Sequence, residues 1–317
     1  MIPNPPPVVI PDSYERVPLK AVKAAPHSPG VIVVTLNRPN KQNAFTLDMM
    51  EDLETLYAMF DVDERVKVVV LTGAGRTFCA GADLEIGFSA ANEVKRVMDE
   101  RDSGGRVALA IYRCRKPTIA AMQGSAVGLG MTITLPAAIR IGFEGGKYGF
   151  VFARRGITME SCSSFFLPRL IGYSSAMYLL STGDTYPPNS PHFGHLFQET
   201  LPEASAVLPR ALELAKNIVQ NVSPLASYMN KCLMWHNPGS AESAHLLDSA
   251  VLFHMFQARD QQEGVSAFME KRRPQFQATV EDDAPPNFPW WYEIDTGRRP
   301  LAAVPPPKES TAHEGPS

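Results

Sequence analysis

The chain has 317 residues, enough for one large core or two modest domains, and its 30 Lys and Arg almost balance 33 Asp and Glu, for a net charge of -3. That balance gives no basis for a nucleic-acid partner or an anionic membrane surface. No stretch approaches the roughly 18 consecutive apolar residues of a membrane span, and Cys79, Cys114, Cys162 and Cys232 lack metal-ligand spacing. No secretory apolar region opens the sequence, so reduced thiols inside a cell are expected. The closing Gly-Pro-Ser is not the peroxisomal tripeptide.

Residues 1–12 are proline-rich. The pattern over 14–24 allows an edge strand, and 30–36 gives a clearer one. After a turn at 39–43, Thr46 suits an N-cap, and Leu47, Met50, Leu53, Leu56 and Met59 recur at helical spacing. The run Lys-Val-Val-Val-Leu-Thr at 67–72 suits a strand buried on both faces. This strand–helix–strand order predicts a parallel sheet with helical crossovers. A charged segment from 84 to about 105 is expected to hold a helix and a mobile loop. Residues 107–112 end a helix stopped before Pro117. Strands are expected at 118–122 and 139–143, a helix at 131–138 between them, and another apolar run at 148–152. Helices follow at 161–167 and 172–180, then a loop region over 183–201. Further helices are expected at 204–221, 226–235, 241–259 and 263–272. Beyond residue 278 prolines dominate, which suits a flexible or surface-wrapping tail. The expected organisation is an α/β core over 14–200, a helical region over 201–278 and a proline-rich tail over 279–317.

Two glycine-rich turns carry the chemistry. The first, Gly73 to Leu84, follows the apolar strand. The second spans Gly124-Ser125-Ala126-Val127-Gly128-Leu129-Gly130. Such turns let backbone N–H groups approach a ligand, and a developing oxyanion needs two donors. The N–H groups of Ala82 and Leu129 are the candidates, with the helix after Leu129 adding positive potential. Close helix–strand packing explains the glycines equally well. Gly124-Ser125-Ala126 does not form a nucleophile elbow. Glu160, in a mostly uncharged stretch before a helix, is either a proton carrier poised by partial burial or a first-turn carboxylate favoured by the helix dipole. His192 and His195 sit in a loop without a metal-binding pattern. Tyr112, Phe150 and Phe166 suit the core or the wall of a pocket.

Together, Leu36-Asn37-Arg38-Pro39-Asn40-Lys41-Gln42-Asn43-Ala44, Phe78-Cys79-Ala80-Gly81-Ala82-Asp83-Leu84 and the Gly124–Gly130 turn resemble the enoyl-CoA hydratase/isomerase (crotonase) family. The resemblance spans about residues 14–276. It implies a repeated ββα spiral core with a C-terminal helical region, assembled as trimers or pairs of trimers. It implies no cofactor, and an acyl-CoA thioester as substrate with its carbonyl oxygen between the amides of Ala82 and Leu129. Arg38, Lys41 and Ala80, with Asp83 and Leu84 beside them, would lie at the CoA nucleotide, and Asp83 also suits a turn-fixing role. Lys271 and Arg272 would meet CoA phosphates, or simply form a solvated helix end.

The usual hydratase pattern has two glutamates where this sequence carries Thr132 and Phe152. By contrast, Glu160 with Gly156 and Cys162-Ser163-Ser164 resembles the Δ3,Δ2-enoyl-CoA isomerase branch, in which one glutamate shuttles a proton between C2 and C4. The expected activity is that isomerisation. The alternatives are hydration or a related lyase reaction, and a non-catalytic acyl-CoA-binding protein. Relatives in the branch are often peroxisomal, so peroxisome and cytoplasm both stand as expected locations.

Overall fold

Burial along the central strands determines the layers. The computed structural model describes residues 8–85 and 100–296. The strands, in chain order, are β1 (Val22–Ser28), β2 (Gly30–Leu36), β3 (Val66–Gly73), β4 (Thr77–Cys79), β5 (Thr118–Met122), β6 (Ser125–Val127), β7 (Ile139–Phe143), β8 (Tyr148–Gly149), β9 (Thr185–Tyr186) and β10 (Glu199–Leu201). Over residues 68–71 of β3, Val69 and Leu71 enter one hydrophobic core, whereas Val68 and Val70 enter another. This is the period of two of a strand covered on both faces, as parallel sheets require.

The larger sheet has the order β1-β2-β3-β5-β7-β10, parallel apart from the β1–β2 pair. The smaller has the order β4-β6-β8-β9, with β9 antiparallel to β8. The helices are α1 (Leu47–Val62), α2 (Ser103–Arg113), α3 (Leu129–Thr132), α4 (Ser163–Thr182), α5 (Ala204–Asn221), α6 (Pro224–Trp235), α7 (Ala241–Met255), α8 (Arg259–Met269) and α9 (Val280–Asp283). The chain thus repeats one unit: β3-β4-α2, then β5-β6-α3, then β7-β8-α4. Each unit gives one strand to the large sheet, one to the small sheet and then a helix. This is the ββα spiral expected from the resemblance.

Several elements depart from expectation. The first strand starts at Val22, and Tyr14–Arg16 form one 3-10 turn instead. Thr46 caps α1 by accepting the Met49 N–H, and the buried face runs through Met49, Met50, Leu53, Leu56, Tyr57 and Phe60, leaving Leu47 exposed. The helix expected over 131–138 begins two residues earlier and lasts one turn. The two helices expected over 161–180 join as α4 across a kink at Gly172, whose φ of 79° and ψ of 157° are non-helical. The helix expected over 241–259 stops at Met255, and α8 begins at Arg259. Most of the segment expected to hold a helix and loop before residue 105 lies outside the described residues.

α5 packs Val207, Ala211 and Ala215 onto Val68, Val70, Ile119 and Ala121 of the large sheet. The first helix of the region expected from 201 onward therefore covers the sheet. The described part of the tail, expected to be flexible or to wrap the surface, is folded back onto the protein. The Trp291 ring stacks on His236 at 3.7 Å, and Trp290 Nε1 donates to the His236 carbonyl at 3.2 Å. Further along, Arg101 Nε donates to the Thr296 carbonyl and Arg113 to the Thr296 hydroxyl, each at 3.1 Å. Aromatic burial thus outweighs the compositional signal of disorder up to residue 296.

Candidate active site

The two glycine-rich turns meet. Phe45 forms an isolated bridge to Ala82: its N–H donates to the Gly81 carbonyl at 2.8 Å, and its carbonyl accepts the Asp83 N–H at 3.0 Å. A residue bracketed in this way turns its own N–H away from the bridge, and Ala82 does so. Leu129 opens α3, where a first-turn N–H has no carbonyl four residues back to bond. Among the described residues, neither amide donates to a protein acceptor. A Cβ built on Gly81 would stand 2.9 Å from the Val127 carbonyl oxygen and 4.0 Å from the Leu129 nitrogen. The turns approach this closely because Gly81 has no side chain and takes a φ of 95°.

Glu160 reaches the same place from the turn before α4. Its Oε1 lies 2.6 Å from the Thr132 hydroxyl, and Thr132 Oγ1 is also 3.2 Å from the Leu129 carbonyl. One hydroxyl proton serves either protonation state. It is donated to ionised Glu160, or turns to the Leu129 carbonyl when protonated Glu160 donates to Oγ1. The Ser161 hydroxyl donates to Glu160 Oε2. Burial pushes the Glu160 carboxyl above its ordinary range, the hydroxyls of Ser161 and Thr132 oppose that shift, and the charge of Asp102 adds to it. Such a carboxyl is a stronger base than an exposed one and is suited to accepting and returning a proton. The neighbouring Cys79 thiol is pushed up to about 12 by its own burial, so it stays neutral.

The two positions at which a hydratase pattern has acids are occupied otherwise. Thr132 is fully buried on Glu160. Phe152 is also buried, and its ring edge lies 3.8 Å from where a Cβ on Gly128 would stand. Beside the turn that ends in the Leu129 amide there is thus an apolar ring.

Residues 27–279 match the enoyl-CoA hydratase/isomerase family. The chain belongs to that family. It is 47% identical over 260 residues to an enoyl-CoA hydratase of Alternaria alternata, covering 82% of this chain and 87% of that protein. It is 31% identical over 255 residues to a mevalonyl-coenzyme A hydratase of Beauveria bassiana, covering 78% and 91%. Among solved structures, a probable enoyl-CoA hydratase/isomerase from Mycobacterium abscessus superposes with a TM-score of 0.74 at 32% identity, covering 81% of this chain and all of that one. This is therefore a crotonase-fold enzyme of the hydratase/isomerase family, whose substrates are CoA thioesters. Among the described residues, no helix is long and apolar enough to cross a membrane.

The outer residues of this family member fall into two groups. Arg38 is held inside the protein: its guanidinium donates to Asp83 Oδ2 at 2.9 Å and to the Ala44 carbonyl. Asp83 is buried and also accepts the Glu85 N–H at 3.2 Å, so the pair braces the first turn. Arg272 is likewise engaged, with Glu263 at 2.6 and 2.9 Å and with Glu270 at 2.6 Å. Lys41 pairs with Glu85 at 2.5 Å on the surface, and Ala80, Leu84 and Lys271 are exposed. No contact joins Lys271 or Arg272 to Glu160 among the described residues. His192 stacks on Tyr178 at 4.2 Å, and Phe150 and Phe166 lie in the core, with Tyr112 edge-on to Phe166 at 5.5 Å.

Three residues around Glu160 escape sequence reasoning as its partners: Asp102, Ser161 and Thr132. Asp102 is legible only as an N-cap, since Asp-Ser-Gly-Gly before an apolar run is a helix start. Nothing in the sequence links it to a residue nearly sixty positions later. Hydroxyl partners of a carboxylate leave no spacing rule at all.

Proposed function

We propose that this enzyme moves the double bond of a 3-enoyl-CoA thioester from C3 to C2. The thioester oxygen sits between the N–H groups of Ala82 and Leu129, which lower the cost of forming the dienolate. Glu160 takes the proton from C2, holds it while Thr132 turns its hydroxyl toward the Leu129 carbonyl, and returns it to C4. Electrons of the C2–H bond enter the conjugated dienolate and leave it in the new C4–H bond, so no water or cofactor is consumed. One observation supports the reading: among the described residues, the desolvated Glu160 carboxylate bonds Thr132, whose hydroxyl also lies 3.2 Å from the carbonyl of Leu129, while Thr132 and Phe152 stand where hydration would want further acids.

Ala80, Leu84 and Lys41 suit the outer CoA contacts, and Lys271 with Arg272 suits its phosphates. Asp83 and Arg38 then act through the shape of the turn. The exposed Leu252 and Phe253 of α7, Phe256 just past its end and Phe268 of α8 suit a trimer or hexamer interface, which sedimentation would resolve. Hydration is the second reading, favoured by the names of the Alternaria and Beauveria relatives. The test is to assay 3-enoyl-CoA and 2-enoyl-CoA separately, with Glu160→Gln beside the parent. Conversion of the 3-enoyl ester that disappears in Glu160→Gln supports isomerisation. Conversion that survives rejects it, and water added only to the 2-enoyl ester favours hydration.

A further inference from the structure

The backbone that carries Glu160 is strained. Ser161 and Cys162, which follow it, both have φ of 54°, a left-handed conformation that residues with a Cβ adopt at a cost. Two consecutive residues of this kind stay in place only where the surroundings fix them. The fixing contact comes from another element. Asp102 Oδ1 accepts the Ser161 N–H at 3.1 Å while accepting the Gly105 N–H at 2.5 Å as the N-cap of α2. In the same place Gly104 lies flush against the Glu160 carboxylate and the Ser161 hydroxyl, leaving no room for a Cβ.

We propose that Asp102 is a positioning residue for Glu160: one carboxylate oxygen fastens the Ser161 amide to the first turn of α2, and so fixes the carboxylate against Gly104. This rests on Glu160 being the proton carrier. The second consequence is electrostatic. Among the described residues, the groups facing Glu160 are Cys79 from β4, Ser161 and Cys162 from its own turn, neutral Thr132 from α3, and Asp102 ahead of α2, with Arg113 of α2 acting on Cys162. Burial is the larger cause of the raised Glu160 carboxyl, and the charge of Asp102 adds to it, while burial pushes both thiols up.

Three substitutions separate a positioning role from a helix cap. Asp102→Asn keeps an oxygen able to accept both N–H groups and removes the charge. Asp102→Ser keeps a capping oxygen for α2 but is too short to hold Ser161 as well. Asp102→Ala removes both. The readouts are kcat, KM, the pH dependence of kcat and thermal stability of the full chain. Asp102→Asn should keep kcat within a few-fold, with the acid limb of its pH profile moved to lower pH. Asp102→Ser should keep its Tm yet lose kcat by roughly 10- to 100-fold, as Asp102→Ala does, with KM little changed. Equal kcat in all four proteins, or a loss in Asp102→Ser that follows Tm alone, overturns the proposal. Glu160→Gln is run alongside: a fully active Glu160→Gln enzyme rejects the proton-carrier reading itself. An inactive one with unaffected Asp102 variants rejects only the positioning role.

Discussion

Replacing Gly104 by alanine tests the position of the Glu160 carboxylate with little else disturbed. A Cβ at Gly104 would lie inside 3.0 Å of both Glu160 Oε2 and Ser161 Oγ, and 3.2 Å from Glu160 Cδ. Restoring ordinary van der Waals separation, about 3.5 Å, needs the carboxylate to withdraw by about 1.5 Å. The obstructing atoms are the ends of side chains, so the backbone need not move. Overpacking costs about 1–3 kcal/mol and a helical Gly→Ala exchange returns up to about 1 kcal/mol, so the net loss of stability is at most about 3 kcal/mol. The effect on chemistry is separate, because a displacement of about 1 Å at a reacting group already lowers turnover on the order of 100-fold. Steady-state kinetics with 3-enoyl-CoA, beside thermal unfolding, should therefore show kcat collapse while the Tm moves by a few degrees. A Gly104→Ala enzyme with the parental kcat and pH profile would refute the placement of the proton carrier against α2.

Because burial raises the Glu160 carboxyl, the native state holds a proton there at pH values where the unfolded chain does not. Stability therefore falls as pH rises from the ordinary carboxylate range through the raised value. Glu160→Gln should raise the Tm at neutral pH and lose that advantage near pH 4, and an unchanged Tm difference across that range would contradict it. Thr132→Val removes the donor 2.6 Å from Oε1. The acid limb of the kcat profile should move to higher pH, and kcat should fall by roughly 10-fold for the lost hydrogen bond to an ionised group. Arg38→Ala removes the guanidinium facing buried Asp83, so chemical denaturation should register a loss on the order of 2–3 kcal/mol. If Arg38 served mainly as a CoA ligand, KM would rise with stability intact.

The long parallel strands were legible because β3 and β5 are apolar on both faces, a pattern that survives without knowledge of neighbours. The short strands β4, β6 and β8 were not, since two or three residues carry no periodicity and exist by pairing with one another. The amide turns at Ala82 and Leu129 could be read from glycine spacing, whereas their close approach depends on the spiral. Glu160 stood out by chemistry, but Thr132 and Asp102 arrive beside it from other repeats. Proline content left the tail open between a flexible and a surface-wrapping segment, and its described part wraps because Trp290 and Trp291 pack on His236 and Phe288.

The order of the ββα units has a consequence for how such an enzyme diversifies. Ala82 follows β4, Leu129 follows β6 and Glu160 follows β8, so each comes from the loop after the small-sheet strand of a successive unit. The first two loops contribute main-chain atoms, which substitution of side chains leaves in place. The third contributes a side chain, which a single codon can exchange. Under the proposed mechanism gripping and reacting are thus encoded in separate segments, and an ancestor could try new reactions at residue 160 or 152 without loosening its hold on the thioester.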